Sequence, residues 1–224
     1  KYNGQDSEIS ALLGKCGMKA LVASFFLAVV TAAPLSAAPV VLFTDDFSSY
    51  GPGDILNAGD SVFGGNWSVT NGSVDYLAPP GGFSALCSGQ TNCVDLDGST
   101  GASGLFQTVQ SFSNGVFDVL FQISGNNRGG DDTVTITFGS IVRTITLAYN
   151  QVANQDDFGS DFSGISVGAG GTTLSFQNHG GDNVGIILKS ATVQTAAVPV
   201  PAAGGLMALG LAGLAALRRR KQRA

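Results

Sequence analysis

TVTITFGSIVRTITL, residues 133–147, is the stretch that decides the fold. Apolar and polar residues alternate on both sides of Gly139-Ser140, which is the pattern of a half-buried strand on each side of a turn. Glycine at the first central position suits the type II′ turn of a two-residue hairpin. The stretch therefore predicts two antiparallel strands. In that register one face carries Val134, Ile136, Phe138, Ile141, Ile145 and Leu147.

Arg143 falls on the same apolar face of the predicted hairpin. Three interpretations stay open at this point. The side chain extends to solvent at the sheet margin, it meets an aspartate, or the register is shifted by one residue.

Similar short strand patterns, separated by turn residues, recur on both sides of the hairpin. Asn71-Gly72 is the strongest two-residue hairpin signal, and it predicts that residues 67–69 pair with residues 73–77. Regularly spaced short strands are typical of a β-sandwich or jelly roll, and we predict no helix of ordinary length between the two ends of the chain. The other predicted strands are 40–43, 94–97, 105–109, 116–123, 164–167, 172–178 and 183–193.

The beginning of the chain is typical of a secretory signal peptide. Met18 and Lys19 precede an apolar run, and small residues follow as far as Ala37 and Ala38. We therefore predict an upstream extension over 1–17, a signal peptide over 18–37 and an exported domain over 38–197. Cleavage after Ala37 is favoured, because cleavage after Ala38 would place Pro39 just past the cut.

The predicted domain is strongly acidic. It contains fourteen aspartates, no glutamate and three cations (Arg128, Arg143 and Lys189), a formal net charge of −11. Nucleic acids and anionic lipid surfaces need positive charge in their partners, so the balance argues against both.

Two cysteines, Cys87 and Cys93, fall within the predicted domain with five residues between them. In an oxidising compartment an even pair in a short loop predicts a disulfide. The alternative, half of a metal site, lacks partners, because His179 is the only histidine and the one other cysteine, Cys16, precedes the signal peptide.

The end of the chain combines a proline motif, an apolar run and a basic cluster. The motif is Val198-Pro199-Val200-Pro201-Ala202, and the prolines predict an extended linker. Residues 203–217 carry no charge and predict a membrane-spanning helix, with the following cations on the cytoplasmic side. The alternative is a buried core helix with a solvated basic end. The cluster is Arg218, Arg219, Arg220 and Lys221.

This tail, residues 198–224, resembles the C-terminal sorting signals of the PEP-CTERM system, in the VPLPA-type variant, with Val200 in place of the usual leucine. The resemblance implies that an exosortase-type membrane protease recognises the tail in the inner membrane. The protein would then pass to the cell surface or extracellular matrix of a Gram-negative bacterium.

Four motifs follow one another along the predicted domain, at residues 93–99, 104–108, 116–126 and 180–188. In this series the domain resembles the galactose-binding-like jelly roll of many exported PEP-CTERM proteins. The resemblance implies one sandwich of eight or nine strands, usually without catalysis, that often binds glycans and sometimes a structural Ca²⁺. The family commonly has an aspartate where this chain has Lys189.

Sugar binding needs an aromatic face and a few polar groups on loops held by a rigid scaffold. Asn126, Asn127 and Arg128 are the polar candidates, whereas Trp67, within a strand pattern, is predicted in the core. The Thr133, Thr135 and Thr137 hydroxyls are predicted on a solvated strand face. The aromatic candidates are Tyr50, Tyr76, Phe83, Tyr149, Phe158 and Phe162.

Asp45, Asp46 and Asp182 flank the first and last predicted strands, and oxygen ligands of this kind suit Ca²⁺. Catalysis is not predicted, since His179 lies in a predicted loop as the only histidine candidate for a general base. The leading hypothesis is a non-catalytic protein that binds exopolysaccharide. The alternatives are a structural or adhesive matrix protein without a sugar site and, more distantly, a polysaccharide hydrolase.

Overall fold

The computed structural model describes residues 35–80, 84–87, 89–100 and 102–200, together with residues 210 and 218. The chain divides into two compact units, one formed by Pro39–Ala196 and one formed by Lys1–Ala38 with Ala197–Ala224. The predicted upstream extension and residues 18–34 of the predicted signal peptide lie outside the described residues. So do Pro201, Ala202, Arg219, Arg220 and all of the apolar run except residue 210.

Two antiparallel sheets make up the unit Pro39–Ala196, so the all-β sandwich is confirmed. The smaller sheet consists of β4 (Ser61–Val62), β5 (Trp67–Thr70), β8 (Leu105–Thr108), β10 (Asp132–Phe138), β11 (Ile141–Leu147) and β14 (Ser175–Asn178). Its order is β11-β10-β14-β8-β5-β4.

The larger sheet has eight strands. They are β2 (Val41–Asp45), β3 (Asp54–Asn57), β6 (Ser73–Leu77), β7 (Cys93–Asp95), β9 (Gly115–Ser124), β12 (Val152–Asn154), β13 (Ile165–Val167) and β15 (Ile187–Thr195). The order is β12-β9-β15-β7-β6-β3, with β13 also beside β9 and β2 also beside β15. Three 3-10 helices, Phe63–Gly65, Ser84–Cys87 and Gln155–Phe158, complete the described part of the unit.

The sandwich has more strands than the eight or nine expected. The additional strands include β3, β4 and β12, which are only two to four residues long. A strand of that length does not complete enough of the two-residue period to be seen in a sequence.

Aromatic side chains from both sheets fill the core. Trp67 has no exposed surface and stacks on Phe106, with ring centroids 4.2 Å apart and 6° between the ring planes. Phe47 and Phe176 contact the same indole ring, at centroid distances of 6.0 and 6.3 Å. Burying each such ring contributes roughly 2 to 3 kcal/mol. The predicted core position of Trp67 is confirmed.

The hairpin of β10 and β11 has the predicted register. Val134 pairs with Ile145, and Phe138 pairs with Ile141 across the two-residue turn. Arg143 lies on the inward side of β11, but β11 is an edge strand, and Arg143 Nε lies 3.3 Å from Asp161 Oδ2. Of the three interpretations, pairing with an aspartate at the sheet margin is the one that the structure shows.

The hairpin predicted around Asn71-Gly72 is wrong. Both residues have the positive φ of the predicted turn, at 61° and 66°. However, β5 pairs with β4 and β8 in the smaller sheet, whereas β6 pairs with β3 and β7 in the larger one. The turn therefore carries the chain from one sheet to the other, and the Cβ of any residue replacing Gly72 would come within 2.0 Å of the Ala102 carbonyl oxygen.

The last strand begins later than predicted, at Ile187 rather than at residue 183. Just before β15, the backbone N–H of Ile186 donates to the Asn178 side chain at 3.1 Å and not to the backbone of a neighbouring strand. Gly185 packs closely on Asp97, where a Cβ would lie 2.6 Å from the Asp97 backbone nitrogen.

The unit made of the two chain ends contains one small antiparallel pair, β1 (Leu35–Ser36) with β16 (Pro199–Val200). The proline motif is therefore extended where it is described. Val198 precedes the pair and is 59% exposed. Among the residues that the structure describes, no helix is long and apolar enough to cross a membrane.

Candidate functional site

Two loops meet at the end of the sandwich where β9 ends and β10 begins. Gly125 N donates to the Gln151 carbonyl oxygen at 2.8 Å, and Asn150 N donates to the Asn126 carbonyl oxygen at 3.0 Å. These bonds fasten loop 148–151 to loop 125–131, so Tyr149 is held next to the predicted polar residues 126–128. We call these two loops together the loop edge.

The buried side chain of Asn126 stabilises loop 125–131 by hydrogen bonds. Its side chain is fully buried, and its Oδ1 accepts hydrogen bonds from Arg128 N at 2.6 Å and from Gly129 N at 3.1 Å. Its Nδ2 donates to Asp132 Oδ2. Asn126 was predicted as a sugar ligand, but its hydrogen-bonding groups hold the loop and do not reach solvent.

Arg128 is the exposed cation of the loop edge. Its side chain is 34% exposed, and its Nη2 donates to Asp95 Oδ2 at 2.6 Å, while Asp95 is only 2% exposed. Val94 and Leu96 point into the core, so Asp95 points to the outer face of the larger sheet, where Arg128 reaches it. A guanidinium fixed on a buried carboxylate is an ordered donor for ligand oxygens.

Burial raises the pKa of Asp95 to about 7, although Arg128 and the backbone N–H of Asp97 both lower it. The neighbouring carboxylates of Asp75 and Asp97 raise it further. The Asp95 carboxyl therefore titrates near neutrality, and the strength of its ion pair with Arg128 depends on pH in that range.

The disulfide loop supports the loop edge from the other side. Cys87 and Cys93 form the predicted disulfide, and their side chains are buried with Leu77 and Ile187 on the outer face of the larger sheet. Asn127 Nδ2 donates to the Ala85 carbonyl oxygen at 3.3 Å. Asn127 is thus bound to the short helix that ends at the first cysteine.

An open cleft of about 260 Å³ lies on the same outer face, over β3 and β6. Asp75 lines it and accepts hydrogen bonds from Ser99 N at 3.1 Å and from Ser99 Oγ at 2.5 Å. Asp75 is directly opposite Asp95 in the ladder between β6 and β7. The remaining lining residues are Gly53, Asp54, Ile55, Tyr76, Leu77 and Ala78.

Of the predicted exposed aromatic residues, Tyr149 is the one that is clearly exposed, at 53%. Tyr76 and Phe162 are 4% and 1% exposed, so the expectation that they are accessible is wrong. Phe158 is partly buried against the core. Phe83 lies outside the described residues.

Tyr50 is half-buried, and its hydroxyl points inward to a buried carboxylate. It donates to Asp45 Oδ2 at 2.8 Å, and burial raises the pKa of Tyr50 to about 12. The Tyr76 hydroxyl donates to the Phe47 carbonyl oxygen at 2.8 Å. The hydroxyls of these two tyrosines are therefore engaged inside the protein, apart from the loop edge.

The three aspartates predicted to gather around Ca²⁺ are used separately. Asp45 is 6% exposed and accepts hydrogen bonds from Phe47 N, Tyr50 Oη and Trp67 Nε1 at 2.8 to 2.9 Å. Asp46 accepts two hydrogen bonds from Ser48, which lower its pKa. The described residues contain no group of three or more Asp, Glu, His or Cys side chains placed to hold a metal ion.

Asp182 lies instead near the loop edge. Burial raises the pKa of Asp132, and the charge of Asp182 raises it further. Lys189, which replaces the aspartate implied by the family resemblance, is 2% exposed, and burial lowers its pKa.

A buried polar network beneath the loop edge was missed by sequence reasoning. Asp97 has no exposed surface, and its Oδ2 accepts hydrogen bonds from Gly181 N at 2.8 Å and Asp182 N at 3.3 Å. Asp97 Oδ1 and Asn178 Nδ2 are buried without a hydrogen-bond partner among the described residues. The available signal was the alternation Val94-Asp95-Leu96-Asp97, which places both carboxylates beside core residues.

Two sequence features that could suggest a serine hydrolase lie apart from any strand-to-helix turn. Gly164-Ile165-Ser166-Val167-Gly168 has the Gly-x-Ser-x-Gly spacing, which sequence reasoning passed over, but Ser166 lies within β13 and not at a strand-to-helix turn. His179 is exposed, and its Nε2 lies 2.6 Å from Thr135 Oγ1, on the hydroxyl-bearing outer face of the smaller sheet.

Comparison with known proteins gives a likeness of fold only. No family model and no curated protein sequence matches the chain. Among solved structures, the CBM22-1 xylan-binding domain from Paenibacillus barcinonensis Xyn10C is 10% identical with a TM-score of 0.38, over 73% of this chain and 100% of that one.

Two further solved structures are similar at the same level. The family 11 carbohydrate-binding module of the Clostridium thermocellum cellulosomal cellulase Lic26A-Cel5E is 13% identical with a TM-score of 0.29, over 75% of this chain and 99% of that one. The exo-beta-1,3-galactanase Pc1,3Gal43A from Phanerochaete chrysosporium is 14% identical with a TM-score of 0.33, over 65% of this chain and 30% of that one. We therefore base the proposed function on the geometry of this chain itself.

Proposed function

We propose that this protein is an exported, non-catalytic surface or matrix protein whose sandwich binds extracellular polysaccharide at the loop edge. One observation carries the proposal: Arg128 is one-third exposed and fixed on buried Asp95, and its loop is hydrogen-bonded through the backbone to the loop that carries exposed Tyr149. A planar guanidinium can donate to two neighbouring sugar hydroxyls, and a tyrosine ring can stack on the C–H face of a pyranose. Both groups stand on loops fastened to a rigid sheet.

The net charge of the domain indicates whether the bound polysaccharide is neutral or acidic. A net charge of −11 repels anionic chains, and the charge of Arg128 is already matched by Asp95. We therefore expect a neutral polysaccharide, or an acidic one in the presence of a divalent cation that bridges the two anions. Calcium binding stays a prediction, and from the predicted set Asp182, near Asp132, is the ligand we propose.

The export route is proposed from the two ends of the sequence. The signal peptide of residues 18–37 would direct the chain to the membrane, and the tail would retain it there until an exosortase-type protease acts near Val198 to Ala202. The disulfide between Cys87 and Cys93 supports an oxidising compartment.

A glycan array probed with the full chain, once with calcium and once with a chelator, tests the proposed function. We expect binding to neutral polysaccharides in both conditions and added binding to acidic ones only with calcium. An array without any hit in either condition would contradict the proposal. A melting temperature that does not change on chelation would remove calcium from it.

A further inference from the structure

One strand of the sandwich has a long free side. An edge strand, which has a neighbouring strand on one side only, exposes unpaired backbone groups. Proteins usually prevent further strands from pairing there by keeping the edge strand short, by placing charges on it or by a β-bulge. Here β4 has two residues, β12 and β13 have three each, and β3 begins with Asp54. β2 ends in Asp45, and its partner β15 has a register shift at Val193/Gln194.

β11 has only one of these protections, the inward-facing charge of Arg143, which is paired with Asp161. It is seven residues long, contains no proline and no acidic residue, and pairs only with β10 among the described strands. Val142 on this strand is 67% exposed. β11 is therefore the longest free strand edge in the described part of the chain.

The geometry of the hairpin determines which backbone groups are free. The residues that flank a two-residue turn, Phe138 and Ile141, form a hydrogen-bonded pair, and such pairs alternate with non-bonded ones along the ladder. Consequently Ile141, Arg143, Ile145 and Leu147 bond β10. The N–H and C=O groups of Val142, Thr144 and Thr146 point away from the sheet.

These three residues are spaced so that β11 complements itself. In an antiparallel pair of two β11 strands centred on Thr144, Val142 faces Thr146 and Thr144 faces its own copy. All three positions then form hydrogen-bonded pairs, and the inward residues meet inward residues. We propose that two copies of this chain pair through β11 about a two-fold axis at Thr144, joining their six-stranded sheets into one continuous sheet.

Charge and side-chain chemistry favour a second copy as the occupant. Acidic chains repel one another, but β11 itself contains no carboxylate, and its one charged residue, Arg143, forms a neutralising ion pair with the neighbouring Asp161. The hydroxyl pair Thr135–Thr144, 2.9 Å apart, would continue across the junction as a contact between the two Thr144 side chains. Since each copy has one such edge, the pairing closes at a dimer and does not extend into a fibre.

Cross-linking tests the axis directly. Hydrogen-bonded partners across an antiparallel pair have Cα atoms about 5.5 Å apart, which suits a disulfide. In a Cys16→Ser background of the full chain, Thr144→Cys should form a covalent dimer under mild oxidation. The matched control is Thr135→Cys, which lies on the same sheet face but on the interior strand β10 and should stay monomeric.

Sedimentation of the full chain, with Pro39–Ala196 measured in parallel, tests the association itself. We expect the wild-type dimer to strengthen with added salt, because salt screens the repulsion between acidic copies. Thr144→Pro removes an outward N–H that the folded monomer does not use, so it should abolish the dimer and leave the melting temperature nearly unchanged. Val142→Lys, which adds a charge to the edge, should give the same result, whereas Thr144→Ser should still dimerise.

Two outcomes would overturn the proposal. One is a wild-type full chain that stays monomeric at all concentrations and salt levels. The other is equal cross-linking of Thr144→Cys and Thr135→Cys.

Discussion

Asp75 lies directly opposite Asp95 in the ladder between β6 and β7, with both carboxylates on the outer face of the larger sheet. Like charges in this position destabilise a sheet. Each carboxylate is stabilised by a partner of its own: Ser99 donates two hydrogen bonds to Asp75, and Arg128 donates one to Asp95. The pair thereby links the open cleft to the loop edge, and it makes stability dependent on pH.

The first prediction concerns that pH dependence. The folded pKa of Asp95 is raised to about 7 from the ordinary aspartate value of 3.8, so the folded state holds a proton that the unfolded state releases between these values. The contribution of Asp95 to the free energy of unfolding therefore falls as pH rises through this window, and it is lowest above about pH 7. Asp95→Asn should lack this decline. Urea unfolding of both proteins at several pH values checks it, and parallel stability curves would contradict it.

The second prediction compares two arginines. Arg128→Ala should weaken polysaccharide binding by roughly tenfold or more, since it removes the ordered donor of the loop edge. Arg143→Ala removes an equally charged residue from the distant ion pair with Asp161 and should leave affinity unchanged. Affinity electrophoresis in gels containing the polysaccharide measures both. Equal weakening by the two variants would point to overall charge instead of a site.

The third prediction concerns Tyr149. Tyr149→Ala should lower the affinity by roughly five- to thirtyfold, because it removes the exposed ring, whereas Tyr149→Phe keeps the ring and should bind nearly as the wild type does. Titration calorimetry with an oligosaccharide fragment separates the two. Loss of binding in the phenylalanine variant would assign the interaction to the hydroxyl group and not to stacking.

The fourth prediction concerns the disulfide. Reduction of Cys87–Cys93 should lower the free energy of unfolding by roughly 2 kcal/mol, the value that loop-closure entropy gives for so short a loop. It should also weaken sugar binding, because Asn127 is anchored to the Ala85 carbonyl in the short helix that ends at Cys87. Unfolding curves with and without reductant measure the first effect. A Cys87→Ala/Cys93→Ala variant is the control, and its curve should not respond to reductant.

The fifth prediction concerns the tail. If the proposed sorting signal operates, changing Pro199 and Pro201 together to alanine should let the predicted apolar helix extend upstream over the proposed processing site, so the protein should accumulate unprocessed in the membrane. Removing the basic cluster that starts at Arg218 should loosen the membrane orientation and give the same accumulation. Fractionation followed by immunoblotting distinguishes precursor from released protein. Release of the proline variant at the normal rate would show that the motif is not a processing signal.

Periodic stretches were predictable from sequence, because a half-buried strand imposes its two-residue period on the side chains. The β10–β11 hairpin and the buried position of Trp67 follow from that rule together with the turn signal at Gly139, whereas Arg143 on the apolar face left the register open until its partner Asp161 was seen. The connection made by the turn at Asn71-Gly72 was not predictable in this way. Its local geometry is that of the predicted turn, but the partners of the two flanking strands are determined by packing between sheets, which no short window of sequence contains.

The site was predictable in its exposed part only. Arg128 and Tyr149 stand out as a cation and an aromatic among turn residues, and the structure brings their loops together. Asn126, Tyr76 and Asp45 look equally polar or amphipathic in sequence, yet each turns inward to satisfy a buried group. Asp95 was missed because its role depends on Arg128, which is distant in sequence. Only the folded structure brings the two side chains together.

β15, the last strand of the sandwich, is also the strand that joins its larger sheet, because it pairs with β9, β7 and β2. The Thr44–Thr192 contact alone spans 148 positions of the chain. Closing so long a loop comes late in folding. A polypeptide that emerges amino end first, from a ribosome or a translocation channel, therefore cannot complete this sheet until nearly the whole domain has passed. The topology itself therefore delays completion of the larger sheet until the end of synthesis.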